Sequence, residues 1–211
     1  MGLTFITLSL GLLFGGFASL HPAHAAPVTQ SADAGAPGHF TNSSIGQSEP
    51  TTVFTLTSPD FKEGEVLKPE FSYNGFGCTG KNVAPTLNWD HAPSETKYFA
   101  LTVYDPDAPT GSGWWHWLVV NIPKEAKSLD ASKLPATLPE GALTTQNDYG
   151  ATSYGGPCPP VGDKSHRYIF TLYALKDKVA VNDVHVPAAQ IGYQINQLKI
   201  AQAQIIGYYG R

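Results

Sequence analysis

Residues 114–122 read Trp-Trp-His-Trp-Leu-Val-Val-Asn-Ile. Aromatic and β-branched side chains favour a strand over a helix here. Side chains of a strand alternate between two faces, and in this stretch both faces are largely apolar. Such a strand belongs in the middle of a sandwich, covered on both sides. Residues 167–175 (RYIFTLYAL) read the same way, and residues 98–104 (YFALTVY) form a third long apolar run. Residues 51–57 (TTVFTLT) place Phe54 and Leu56 on one face of a half-buried strand. Residues 86–89 and 142–146 are weaker strand candidates. One helix is predicted late in the chain. Pro187 suits a first helical position, and Ile191, Ile195 and Leu198 recur at i, i+4 and i+7. The predicted fold is mainly β: an antiparallel β-sandwich with a few short peripheral helices.

Composition agrees with that reading. Gly (21) and Pro (17) make up about 18% of the 211 residues, against a usual value of about 12%, which favours a loop-rich, strand-based fold. The formal net charge of −4 leaves no basic excess to grip a phosphate backbone, so no nucleic-acid partner is expected. Two cysteines exclude a disulfide-dense mini-scaffold and an all-cysteine zinc site.

The first residues have a different character. Residues 3–20 are an uncharged apolar run, followed by the A-x-A pattern Ala23-His24-Ala25. We read residues 1–25 as a signal peptide cleaved after Ala25. The n-region has no Lys or Arg, and an uncleaved anchor is the alternative, since about 18 residues approach the lower limit for a span. Residues 26–50 are rich in Ala, Ser, Thr, Gly and Pro without apolar periodicity, which predicts a disordered linker ahead of a domain at 51–211. Cleavage predicts a periplasmic or secreted protein with no stable membrane span.

Three clusters carry the chemistry. Asp105-Pro106-Asp107-Ala108-Pro109 follows a predicted strand, and its prolines stiffen the turn that holds both carboxylates. An ordinary Asp-Pro turn, with carboxylates on their own backbone N–H groups, explains the same residues. His116 lies among tryptophans and, at strand spacing, points away from Trp115 and Trp117. It is either a hydrogen-bonded core residue or a ligand contact. Residues 155–162 (GGPCPPVG) then lead into His166-Arg167-Tyr168, with His166 and Tyr168 on one face. The loop N–H groups around Gly156 and Cys158 suit an anion, although the prolines remove donors. A plain hairpin connection is the alternative.

Together these blocks resemble the phosphatidylethanolamine-binding protein family. Residues 105–123 and 156–175 look like its two signature blocks. Residues 77–85 (GCTGKNVAP), 147–150 (NDYG) and 206–211 (IGYYGR) look like its bacterial branch. The resemblance implies a β-sandwich with a small anion pocket at one end, lined by Asp105, Asp107, His116, His166 and Tyr168. Cys158 stands where eukaryotic relatives have a glycine before the Pro-Pro pair. A buried Asp105 would orient an imidazole and favour its charged form. His116 and His166 would then donate to a phosphorylated or anionic ligand beside the Tyr168 hydroxyl, with Asp107 as loop-former or second orienter. That arrangement predicts weaker binding as pH rises past the histidine pKa.

The resemblance also allows a protein partner, a kinase or protease inhibited by docking. Two His and two Asp form a conceivable zinc set, but no HExxH-type spacing supports it, and no cofactor is expected. The chain is expected not to be an enzyme: there is no GxSxG, and a weak hydrolase is the lesser alternative. In an exported protein Cys78 and Cys158 suggest a disulfide closing a long loop, with an entropic contribution of about 4 kcal/mol. Two free thiols are the alternative.

Overall fold

The computed structural model describes residues 52–130 and 138–211. The leader and linker expected at residues 1–50 lie outside these residues. Two sheets form the body. A large antiparallel sheet contains β5 (Tyr98–Asp105), β6 (Trp114–Pro123), β8 (Leu143–Thr144), β9 (His166–Leu175) and β10 (Lys199–Tyr209), in the order β10-β9-β5-β6-β8. A small sheet contains β1 (Thr55–Thr57), β4 (Leu87–Asp90) and β7 (Ser128–Leu129), in the order β1-β4-β7. A two-residue ribbon pairs β2 (Asn74–Gly75) with β3 (Cys78–Thr79). The helix α1 (Ala188–Leu198) immediately precedes β10. Among the described residues no helix is long and apolar enough to cross a membrane.

The doubly apolar strands are explained by what covers them. On the inner face Leu101, Val103, Trp117, Val119, Phe170 and Leu172 pack with Leu56, Trp89 and Leu129 of the small sheet. On the outer face Ala100, Leu118, Val120 and Leu175 pack under Ile191 and Ile195 of α1. The second cover is therefore a helix rather than a third sheet. Both isoleucines are almost fully buried, and each such side chain stabilises the fold by about 1.5–3 kcal/mol.

Two irregularities depart from simple alternation. In β6, Val103 faces Trp117 and Tyr104 faces Trp115, so His116 is the extra residue of a β-bulge. The expectation that Trp115 and Trp117 share a face is therefore wrong. Trp117 joins the inner core, whereas Trp115 packs with the outer cluster. A second register shift lies near Asn121, whose φ is +59° and whose side chain brackets Val179 through both its carbonyl oxygen and its N–H. The long strand β10 was not among the sequence expectations, nor were β2, β3 and β7.

Topology positions the candidate site. β5 ends at Asp105, β6 begins at Trp114, and β9 begins at His166, all at one end of the large sheet. β8 and β9 are consecutive in sequence, yet two strands stand between them in the sheet. The chain from 145 to 165 must therefore cross that end, and it forms the wall of a cavity there.

Candidate functional site

Asp105 is 3% exposed and closes β5. Its Oδ1 accepts the backbone N–H groups of Asp107 (2.8 Å) and Ala108 (3.1 Å), making the rigid turn. Its Oδ2 accepts from His166 Nδ1 at 2.8 Å. The two sequence readings of this residue thus hold together: one carboxylate is both turn-former and imidazole orienter. A carboxylate can only accept, so His166 Nδ1 carries a proton. His166 Nε2 lies 3.6 Å from Asp163 Oδ2, a second carboxylate on the other side of the ring.

Asp107 does something else. Its carboxylate takes Arg167 through Nε (2.9 Å), Nη2 (2.8 Å) and the backbone N–H (3.0 Å). The Arg167 side-chain hydrogen bonds hold its pKa well down, at about 2. Asp107 is thus a loop-former bound to Arg167. It orients no histidine and does not line the cavity.

His116 departs most from expectation. No carboxylate orients it. Its Nδ1 donates to the Gly155 carbonyl at 2.7 Å, which leaves Nε2 facing away from that bond. The ring is 2% exposed, and burial pushes its pKa down to about 4, against the pull of Gly155 and Asp105. His116 is therefore neutral at ordinary pH, and Nε2 presents a lone pair. The expected donor is an acceptor. Tyr168, 1% exposed, meets the His116 ring edge-on at 5.0 Å. Burial, followed by the nearby Asp105 charge, raises its pKa and keeps the hydroxyl protonated.

A cavity of about 240 Å³ opens over these groups. Asp105, His116, His166, Tyr168 and Cys158 line it. Gly156 does not, and its N–H is already committed to Asn82 Oδ1 at 2.7 Å. Gly156 is nevertheless required, because a Cβ there would run into the Phe71 carbonyl oxygen. The expected loop N–H contact from Gly156 is therefore corrected: this glycine allows a close approach of two backbones. Cys158 is bonded to Cys78 (S–S 2.05 Å), and among the described residues no cysteine is free.

Several wall residues escaped the sequence reading. Tyr149 stacks on Tyr73 at 4.1 Å, donates to the Gly156 carbonyl at 3.0 Å, and closes one side with Trp114 at 5.3 Å. The buried Asn147 shapes this turn, donating to the His116 and Ser153 carbonyls and accepting from the N–H groups of Tyr149 and Ala151. Arg211 donates to the carbonyls of Pro159 (2.6 Å) and Gly77 (2.9 Å), joining the same two loops that the disulfide joins. The signals available in the sequence are the 147–150 stretch for Asn147 and Tyr149 and the 206–211 stretch for Arg211, both of which carry only a branch resemblance.

Three buried polar atoms belonging to cavity-lining residues have no hydrogen-bond partner: His116 Nε2, Trp114 Nε1 and Tyr168 Oη. No Lys or Arg lines the cavity. Among the described residues no group of three His, Cys, Asp or Glu side chains is arranged to hold a metal ion.

Comparison with known proteins agrees with this architecture. Residues 57–210 match the family model for phosphatidylethanolamine-binding protein. UPF0098 protein YbcL of Escherichia coli is 49% identical over 160 residues, which is 74% of this chain and 87% of that protein. UPF0098 protein YbhB of the same organism is 43% identical over 157 residues, covering 73% of this chain and 98% of that protein. The crystal structure of E. coli YbcL, presented as a new member of the mammalian PEBP family, matches with a TM-score of 0.73 at 46% identity, covering 75% of this chain and 98% of that one.

Proposed function

The chain belongs to the phosphatidylethanolamine-binding protein family, and from that premise we propose that it binds a small phosphorylated or otherwise anionic ligand in the cavity at the end of the sandwich. The observation that carries this reading is that three residues lining one cavity, His116, Trp114 and Tyr168, each carry a buried polar atom without a partner. A buried polar group without a partner costs about 1–3 kcal/mol, so a ligand that engages all three recovers a substantial fraction of its binding free energy there. The Trp114 N–H and the Tyr168 O–H suit anionic oxygens. The apolar wall of Phe76, Pro109, Pro159 and Pro160 suits an organic remainder.

Binding without turnover is part of the proposal. Cys158 is held in a disulfide, and the Thr110 hydroxyl is committed to the Gly113 carbonyl at 2.5 Å, so neither is poised as a nucleophile. Export is part of it too. The disulfide fits an oxidising compartment, as does the apolar leader before Ala26. N-terminal sequencing of the mature protein should begin at Ala26, and an intact Met1 would overturn cleavage.

The binding test is isothermal titration with inorganic phosphate and phosphoethanolamine, in the wild type and in Tyr168→Phe. Saturable binding that weakens about tenfold in the variant supports the reading. Heat-silent mixing, together with unchanged Trp fluorescence at millimolar ligand, refutes it. The partner-docking reading would then move ahead.

A further inference from the structure

The end of the large sheet opposite the cavity carries a row of like charge. Lys97 precedes β5, Lys124 follows β6, Lys176 follows β9, and Lys199 begins β10. Register sets them side by side: Tyr98 faces both Pro123 and Leu175, and Lys199 faces Leu175. The Lys97 N–H donates to the Leu175 carbonyl and the Lys176 N–H to the Leu198 carbonyl, so the pairing continues into these residues. Neighbouring strands lie about 4.8 Å apart, so four adjacent strands present their lysines along one edge. Lys178, and Lys127 just ahead of β7, widen the row. All six are exposed, and among the described residues none forms an ion pair. Asp90, Glu95, Glu125 and Asp177 stand among them, which still leaves this end positive in a chain whose net charge is −4.

The same end exposes apolar surface. Ile200, at the register shift that opens β10, is 41% exposed, and Val53, ahead of β1, is 71% exposed. Lys178 and Lys199 lie over the rings of Tyr98 and Tyr173, at 5.3 and 6.0 Å. Phe54 stacks on Phe99 at 6.1 Å and Thr55 faces Asp90, so the chain enters β1 from this end.

We infer that this end of the sandwich is a docking face for an anionic phospholipid bilayer. Charge complementarity carries the assignment. Lysine is a point charge on a flexible apolar stem, which suits the diffuse field of many headgroups. A fixed phosphate site favours the bidentate fork of arginine, and both arginines of the chain are engaged elsewhere, Arg167 with Asp107 and Arg211 with Pro159. Ile200 and Val53 add side chains that can enter the boundary between headgroups and acyl chains. Docked in this way, the protein turns its cavity from the lipid. β9 spans ten residues, so about 33 Å separates the lysine row from the cavity floor. Headgroups of the bilayer that holds the protein are then out of the cavity's reach, and the cavity samples the aqueous phase. This orientation holds whether or not the cavity binds an anion.

The test is sedimentation of the purified protein with vesicles of mixed phosphatidylglycerol and phosphatidylcholine, with phosphatidylcholine alone as the baseline. Each lysine near an anionic surface contributes about fivefold to partitioning. Lys97→Gln, Lys124→Gln and Lys176→Gln combined should therefore lose about a hundredfold. Lys68→Gln, Lys81→Gln and Lys164→Gln combined remove the same charge elsewhere and should lose less than about threefold, because screening confines the attraction to the docked face. Circular dichroism and Tm check that both variants are folded. Binding should also fade as the Debye length shrinks from about 10 Å at 0.1 M salt to about 3 Å at 1 M. A gadolinium-chelate lipid in the vesicles reads the orientation: amide signals of residues 95–97, 124–127 and 176–178 should broaden before those of residues 105–112.

Sedimentation no greater than with phosphatidylcholine alone, equal losses in the two triple variants, or earliest broadening at residues 105–112 overturns the inference. Tighter binding to soluble polyglutamate than to the vesicles gives the face to an acidic protein and overturns the bilayer assignment.

Discussion

Replacing Asp105 by Asn changes one oxygen into an amide nitrogen and keeps the volume. The carboxylate accepts three N–H groups: two backbone donors on Oδ1 and His166 Nδ1 on Oδ2. An amide offers one acceptor oxygen. With that oxygen on the turn, the NH₂ group points at the Nδ1–H of His166. With the oxygen on His166, the NH₂ group meets two backbone donors. With Nδ1 protonated, donors face donors in either orientation in a site that is 3% exposed; a shift of the His166 proton to Nε2 relieves the first arrangement but still loses the bond to a charged carboxylate. A hydrogen bond to a charged group contributes about 1.5–3 kcal/mol, and at least one is lost outright. We expect Asp105→Asn to lose about 2–4 kcal/mol of stability, lowering Tm by about 5–15 °C for a domain of this size. Asp107→Asn, two residues away, removes an ion pair with a half-exposed Arg167 and should lose only about 1 kcal/mol. Urea denaturation of the disulfide-intact proteins, analysed at a common m-value, measures both. The reasoning fails if Asp105→Asn lies within about 0.5 kcal/mol of wild type, or if the two variants are equally unstable.

The other predictions concern the cavity and its wall. Tyr168→Phe removes a hydroxyl with no protein partner, so its stability should stay within about 1 kcal/mol of wild type even as ligand affinity drops; a large destabilisation would reveal an unseen partner. Gly156→Ala forces a methyl group into the Phe71 carbonyl and should lose more than about 3 kcal/mol or fail to fold, as judged by soluble yield and circular dichroism. Reduction of Cys78–Cys158 should cost about 2–4 kcal/mol in urea unfolding, and the denatured, unreduced protein should show no free thiol. The Asp107 pKa is lowered from 3.8 to about 2, so its ion pair stabilises the fold above about pH 4, and that contribution fades as pH falls from about 4 toward 2. The difference between wild type and Asp107→Asn should shrink across that window, and a constant difference would disprove the pairing.

Much of the body could be read from side-chain pattern alone. β6 and β9 are apolar on both faces because both faces are covered, and that physical fact is written along the strand. The helix α1 carried its stripe at Ile191, Ile195 and Leu198. β10 was missed because Ala and Gln alternate along residues 201–204, which is weak evidence for a strand. Its identity comes from pairing with β9, a tertiary contact. The two-residue strands β2, β3 and β7 exist only through their partners. The site residues Asp105, His116, His166 and Tyr168 were identifiable as types within blocks. Their hydrogen bonds were not, because one extra residue in β6 reverses the face of Trp115 and gives His116 to a backbone carbonyl. Asn82, Asn147 and Tyr149 act through loop geometry that no periodicity encodes.

The crossing of residues 145–165 over the sheet end divides the cavity between two mechanical regimes. Its floor (Asp105, His116, His166 and Tyr168) belongs to β5, β6 and β9, the interior strands of the large sheet, which are paired on both sides and where amide exchange is expected to be slowest. Its wall is loop, held by a disulfide, side-chain hydrogen bonds and ring stacking rather than by a strand ladder. Recognition chemistry is thus set on ladder-paired strands, while the entrance is set by side-chain and disulfide ties between loops. Changes in the wall should therefore alter how fast a guest enters and leaves, and changes in the floor should alter which guest stays.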